Sequence, residues 1–199
     1  MILPIVAYGD PVLRKLCDNI TPEYEGLQEL IKNMFDTMHN AEGVGLAAPQ
    51  VNKVIRLFIV ETKGFAEDEE EEDDAEPEFT PEERKKLINF SQVFINPVMV
   101  DETGEEWPYR EGCLSIPKIR EDVMRKPQIT LKYLDEKFVE HQTTFDGLIA
   151  RVIQHEYDHI EGKLFIDYLT QLKRRLIKKK LDDISAGKVK TDYRMLFPR

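Results

Sequence analysis

The stretch IARVIQHEYDHIEGKLF, residues 149–165, decides how this chain is read. Its apolar residues recur at helical spacing and Gly162 supplies a stop, so a helix is expected from about Asp146 to Glu161. Within it lies His-Glu-x-x-His. Residues four apart share a helix face, roughly 40° apart in projection, so His155 and His159 point the same way. They extend a stripe begun by Leu148 and Val152, which makes theirs the buried face. Two inward imidazoles one turn apart, with Glu156 about 100° round from the first, can hold a metal and offer a base to its water.

Two histidines are too few for a catalytic metal, so a third ligand must be found. Downstream, the extended motif with a third histidine would need that residue at position 165, where Phe165 stands. A later glutamate would serve a two-His, one-Glu site, but no glutamate follows Glu161. Asp167, in the strand-like LFIDYL, reads better as a surface or capping group. The upstream candidates are Cys17, His39, Cys113 and His141. His39 ends an amphipathic helix, where an imidazole favours the helix dipole. His141 sits in a polar alternating run, and Cys17 in an ordinary packing context. Cys113, in REGCLSIP, follows a glycine that lets the backbone approach closely, with Leu114-Ser115 read as continuing strand. A thiolate with two imidazoles leaves a fourth position open for water.

The 199-residue chain is 41% hydrophobic, enough for one catalytic domain spanning 1–199. The opening MILPIVAYGDP lacks a basic start and is broken by Gly9 and Pro11, so it does not read as a signal peptide. No apolar run approaches a membrane span, and two cysteines suggest no disulfide framework, so a cytoplasmic setting is expected. The net charge of -10 is local: residues 67–78, EDEEEEDDAEPE, carry ten carboxylates, and the remainder sums to about zero. Nothing in that balance points to DNA.

A helix is expected over 25–40, and strands over 54–60 and 92–100. Between these strands, 64–80 reads as a disordered acidic insertion, after which Thr80-Pro81 can open a short helix. The alternating runs in 126–147 meet at Asp135-Glu136 as a hairpin would. A last helix is expected over about 169–184, before a polar tail. The class is α+β, with strands punctuated irregularly by helices.

Three segments in order resemble one family, the peptide deformylases: GVGLAAPQ (43–50), EGCLS (111–115) and QHEYDH (154–159). The likeness extends over roughly 1–62 and 90–185. It implies antiparallel sheets surrounding a central metal-binding helix, with a C-terminal helix like that of many Gram-negative members. It implies hydrolysis of the formyl group from formyl-methionyl nascent polypeptides, releasing formate. Cys113, His155 and His159 are then the metal ligands and Glu156 the general base and acid for a metal-bound water. Gln50 and the Leu114 backbone N–H stabilise the oxyanion. Val44 and Gly45 offer backbone contacts to an added peptide strand, and Glu111 and Arg120 line the cleft. The resemblance implies Fe2+ as the working metal, with Zn2+, Ni2+ or Co2+ as substitutes, and docking of the basic helix (KRRLIKKK, 173–180) on the ribosome. Pro49 and the acidic insertion depart from the family's usual pattern, at no catalytic position. The nearest rivals are a metalloprotease, which lacks its usual downstream ligand here, and an inactive peptide-binding relative, which would not need both Glu156 and Gln50.

Overall fold

The computed structural model describes residues 1–67 and 79–198, so most of the acidic run lies outside the described residues. The chain opens with a two-residue strand, β1 (Ile5–Val6), and a helix, α1 (Leu27–Asn40). Two strands follow, β2 (Gly45–Ala47) and β3 (Leu57–Glu61). A short helix, α2 (Lys63–Glu67), stands where an irregular excursion was expected to begin at 64. Helix α3 (Pro81–Ile88) starts as the sequence suggests. The Thr80 hydroxyl accepts from Glu83 N–H at 3.3 Å, and Thr80 N–H donates to the Glu83 carboxylate at 2.9 Å, a reciprocal cap.

Strand β4 (Ser91–Thr103) pairs with β3 on one side and with β7 (Gln128–Leu134) on the other. β7 returns through a turn at Asp135 to β8 (Glu140–Asp146), the hairpin foreseen at Asp135-Glu136. The result is a five-stranded antiparallel sheet in the order β2-β3-β4-β7-β8, with β2 at its edge. Pro97 is tolerated inside β4 because the β4–β7 register slips between Ile95 and Val98, where no ladder N–H is required. At that slip Asn96 adopts a positive φ of 49° and its side chain closes two hydrogen bonds with the backbone of Ile20.

The run LFIV in β3 is buried on both faces, which is why it reads as continuous rather than alternating. Leu57 and Ile59 pack with α1 through Leu30, Ile31, Met34 and Met38. Phe58 and Val60 face the opposite way, with Phe94, Leu131 and Phe145 and the residues Ala150, Val152 and Ile153 of α4 (Gly147–Ile160). Phe58 and Phe94 stack at 4.7 Å. Each such fully buried aromatic contributes roughly 1.5–3 kcal/mol.

A separate hairpin, β5 (Trp107–Cys113) and β6 (Ile116–Arg125), stands beside α4. Leu114 and Ser115 are its turn, not a continuation of strand: Cys113 pairs with Ile116, so the chain must reverse between them. LFIDYL likewise is no strand. Phe165–Tyr168 is a 3-10 turn, in which Asp167 accepts from Leu164 N–H at 2.9 Å and pairs with Arg14, the capping role expected of it. Helix α5 (Gln171–Ser185) is capped by Thr170 and buries only Ile177, Leu181 and Ile184. The tail does not trail away. Its last strand, β9 (Met195–Leu196), pairs in parallel with β1. No helix among the described residues is long and apolar enough to cross a membrane.

Candidate metal centre

Helix α4 presents His155 and His159 on its inner face, and the β5–β6 hairpin delivers Cys113 opposite them. The three donor atoms lie within 4.8 Å of one another, the only such group of three or more among the described residues. The Cys113 Sγ stands 3.3 Å from His159 Nε2. The His155 Nδ1 is 2.9 Å from a Glu111 oxygen, which fixes that ring and turns its Nε2 inward. Neither remaining histidine competes: His39 pairs with Glu61 at 2.6 Å, and His141 with Asp135 at 2.9 Å. Cys17 is buried, and burial pushes its thiol up to about 11, so it stays protonated and inert.

Glu111 was expected to line the cleft for substrate. It borders the cleft, but its carboxylate is committed inward. Arg125 holds both oxygens, at 2.7 and 3.1 Å, Arg151 reaches one at 3.1 Å, and His155 takes the other. These hydrogen bonds outweigh the burial that would raise its pKa and hold the carboxyl well below the usual carboxylate range. Arg125 continues to Asp158 at 2.7 Å, and Asp158 accepts from the Tyr168 hydroxyl at 2.9 Å. The guanidinium of Arg151 lies over Trp107, 4.5 Å from the ring centroid. The sequence reading missed Arg125, Arg151 and Asp158. A signal existed for two of them, because Arg151 and Asp158 sit four before and three after His155, on the same helical face.

Glu156 is buried, and its Oε2 has no hydrogen-bond partner. Burial, partly opposed by His155, pushes its carboxyl up to about 7. An acid half-ionised near neutrality can both take and return a proton. The glycines of GVGLAAPQ explain how it fits. A Cβ on Gly45 would stand 2.5 Å from Glu156 Oε1, and one on Gly43 would stand 2.8 Å from the Leu114 side chain. The missing side chains let the first segment close on the other two.

Gln50 lies in a 3-10 turn, Ala48–Val51, directly after β2. Ala47 N–H donates to its Oε1 at 2.8 Å, so the amide must point its Nε2 the other way. That nitrogen faces Ser115 Oγ at 3.2 Å and Cys113 Sγ at 3.5 Å. The turn residue Leu114 borders the same cleft, of about 1670 Å³, as do Val44, Gly45 and the exposed Arg120. Val44 gives its carbonyl to Glu61 N–H at 2.9 Å and so faces β3.

The donor set fits a divalent metal. A soft thiolate and two imidazoles converge, a carboxylate orients one imidazole, and a buried polar atom beside them, Glu156 Oε2, lacks a partner. Such a cluster next to a buried carboxylic acid is the layout of a metal-dependent hydrolase. Comparison with known proteins narrows the class. The sequence model of the polypeptide deformylase family matches residues 2–175. A peptide deformylase of Christiangramia forsetii is 56% identical over 198 residues, covering 100% of this chain and 97% of that protein. One from Flavobacterium johnsoniae is 57% identical over 197 residues, covering 99% and 96%. The crystal structure of a peptide deformylase from Legionella pneumophila superposes with a TM-score of 0.76 at 37% identity, covering 94% of this chain and 98% of that one. The chain belongs to the peptide deformylase family, whose members remove the N-terminal formyl group from nascent peptides.

Proposed function

We propose that Cys113, His155 and His159 hold one divalent metal and that Glu156 moves the proton in deformylation. The observation that carries this reading is the buried, partnerless Glu156 Oε2 next to three converging donor atoms. A metal held there supplies Lewis acidity, polarising a carbonyl oxygen and lowering the pKa of a water. Glu156 accepts the proton of the attacking water and returns it to the leaving amine of methionine. Gln50 Nε2, aimed by its bond to Ala47, and the Leu114 N–H donate to the oxygen that becomes negative. Losing one such donor typically costs about 2.7–4 kcal/mol of barrier. Glu111, held by Arg125 and Arg151, keeps His155 in one orientation.

The formyl-methionyl peptide enters along β2, the sheet edge, as an added strand. Gly45 and Val44 border it, and Arg120 stands at the rim of the cleft. Ferrous iron is the metal we assign in the cell, with Zn2+, Ni2+ or Co2+ as substitutes. A thiolate softens the site, and the Irving–Williams order leaves iron weakly held, so availability decides. We place the enzyme in the cytoplasm as one catalytic domain, with the acidic run as an insertion. The decisive test is anaerobic turnover of formyl-Met-Ala-Ser by Fe(II)-purified wild type and Cys113→Ala, with metal content measured alongside. Loss of both metal and formate release in the variant supports the ligand set. A wild type that cleaves ordinary peptides and releases no formate would overturn the reading.

A further inference from the structure

The family's sequence model ends at Arg175, yet the residues beyond it return to the active site. After α5 the chain turns at Gly187, which takes a φ of 70°. It is then tied down where β9 meets β1: Ile5 N–H donates to Arg194 O at 2.9 Å and Ala7 N–H to Leu196 O at 2.8 Å. Between these points Lys190, Thr191, Asp192 and Tyr193 line the same cleft as Cys113, His155 and Glu156. The Tyr193 hydroxyl donates to the Leu114 carbonyl at 2.8 Å. Thr191 steadies this stretch through its hydroxyl, which donates to Tyr193 O at 2.7 Å.

Leu114 and Ser115 form a two-residue turn, and contacts from outside the hairpin fix how its peptide planes are held. Upstream, Cys113 is fixed by pairing with Ile116. Downstream, Ser115 O accepts from Tyr8 N–H at 2.8 Å, and its hydroxyl accepts from Gln50 at 3.2 Å. The Tyr193 hydroxyl holds the Leu114 carbonyl and with it the Leu114–Ser115 peptide plane; the Leu114 N–H lies in the preceding Cys113–Leu114 plane, hinged to the held one at the Leu114 Cα. We propose that Tyr193 is a positioning residue for deformylation: its hydroxyl clamps the Leu114–Ser115 turn so that the Leu114 N–H stays aimed at the developing oxyanion. A donor stabilises a transition state fully only when it is oriented before the charge appears. Burial pushes the Tyr193 phenol well above its ordinary range, so it remains a donor across the working pH.

The inference rests on the deformylase reading and on Leu114 as an oxyanion donor. Its test is Tyr193→Phe in the full metal-loaded chain, which keeps the ring and removes only the hydroxyl. Formate release should fall about three- to tenfold in kcat, the rate equivalent of one neutral hydrogen bond, with KM within about twofold. Metal content and melting temperature should match the wild type. In the diamagnetic Zn2+-loaded chain, 15N relaxation should show the Leu114 and Ser115 amides loosening while β9 stays rigid. An unchanged kcat overturns the proposal, as does a raised KM at constant kcat, which would make the contact one of ground-state binding. Loosening of β9 together with a lower melting temperature would reduce Tyr193 to an anchor of the tail. If the wild type itself releases no formate, the deformylase reading has failed instead.

Discussion

Helices α4 and α5 are nearly equal in length, 14 and 15 residues, and opposite in what they bury. α5 buries three aliphatic residues and leaves Leu172 and Leu176 exposed among its lysines and arginines. α4 buries Arg151, Gln154, Glu156, Asp158 and His159 alongside its apolar residues. An amphipathic helix needs only its stripe to be stable. A helix that carries five polar side chains inside must find each of them a partner or use it. On α4 the accounting is nearly complete: Glu111, Arg125, Tyr168, Trp107 and the backbone at Lys126 satisfy most of these groups. What remains unpaired at the donor cluster, Glu156 Oε2, is where chemistry is left to do.

The largest expected effect separates use from satisfaction. Glu156→Gln keeps the shape and removes the proposed proton carrier, so kcat should drop about 10²- to 10⁴-fold while bound metal is unchanged. Steady-state formate release with parallel metal analysis reads both. Turnover within tenfold of wild type would mean that the orphan oxygen on α4 is not the proton carrier.

Arg125→Met probes satisfaction instead. It removes the cation that bridges the buried Glu111 and Asp158 and leaves Glu111 with Arg151 alone, and breaking such a pair costs about 3–5 kcal/mol of stability. Urea unfolding should show the loss, and adding Glu111→Gln should recover part of it. A change under 1 kcal/mol would show that water or rearrangement meets these charges, and the contrast with α5 would weaken.

A smaller effect is expected from Gly45→Ala. The new methyl would overlap Glu156 Oε1 and must displace that carboxylate, although Gly45 itself lies on β2. Activity should fall by about 10²-fold, the scale of an ångström-level misplacement, with the melting temperature little changed. Equal activity in the alanine variant would show that Glu156 tolerates movement.

Much of α4 could be read in the sequence because helical spacing converts directly into a face. His155, Glu156 and His159 and the Gly162 stop all follow from 3.6-residue periodicity, and Cys113 stood out once the other candidate donors were set aside. The hairpin at Asp135 was legible from alternation. What escaped depended on contacts between elements far apart in sequence. Leu114-Ser115 looks like strand locally, yet the pairing of Cys113 with Ile116 makes it a turn. Glu111 does border the cleft, but nothing in the sequence shows that Arg125, Arg151 and His155 hold its carboxylate. The tail, VKTDYRMLFP, is polar enough to pass as an end, and only β1, some 190 residues earlier, gives Met195 and Leu196 a partner. Most of the expected insertion lies outside the described residues, and at its start Lys63–Glu67 is helical.

The smallest effect on the enzyme itself is expected at α5, and it is the sharpest check on the comparison. Lys178, Lys179 and Lys180 are exposed, and the pair that Lys178 makes with Asp182 at 2.6 Å lies within one helical turn on the surface. Exposed pairs of this kind are screened by salt and add little to folding. Reversing all three charges should therefore leave the melting temperature and the turnover of formyl-Met-Ala-Ser as they are in the wild type. If this face docks on ribosomal RNA, as the family resemblance implies, the same variant should lose co-sedimentation with ribosomes at low salt, since phosphate contacts are charge-driven and salt-sensitive. Unchanged co-sedimentation would remove the docking role and leave α5 a solvated face. A loss of turnover on the short peptide would mean that α5, with three buried residues, nonetheless supports the centre that α4 builds.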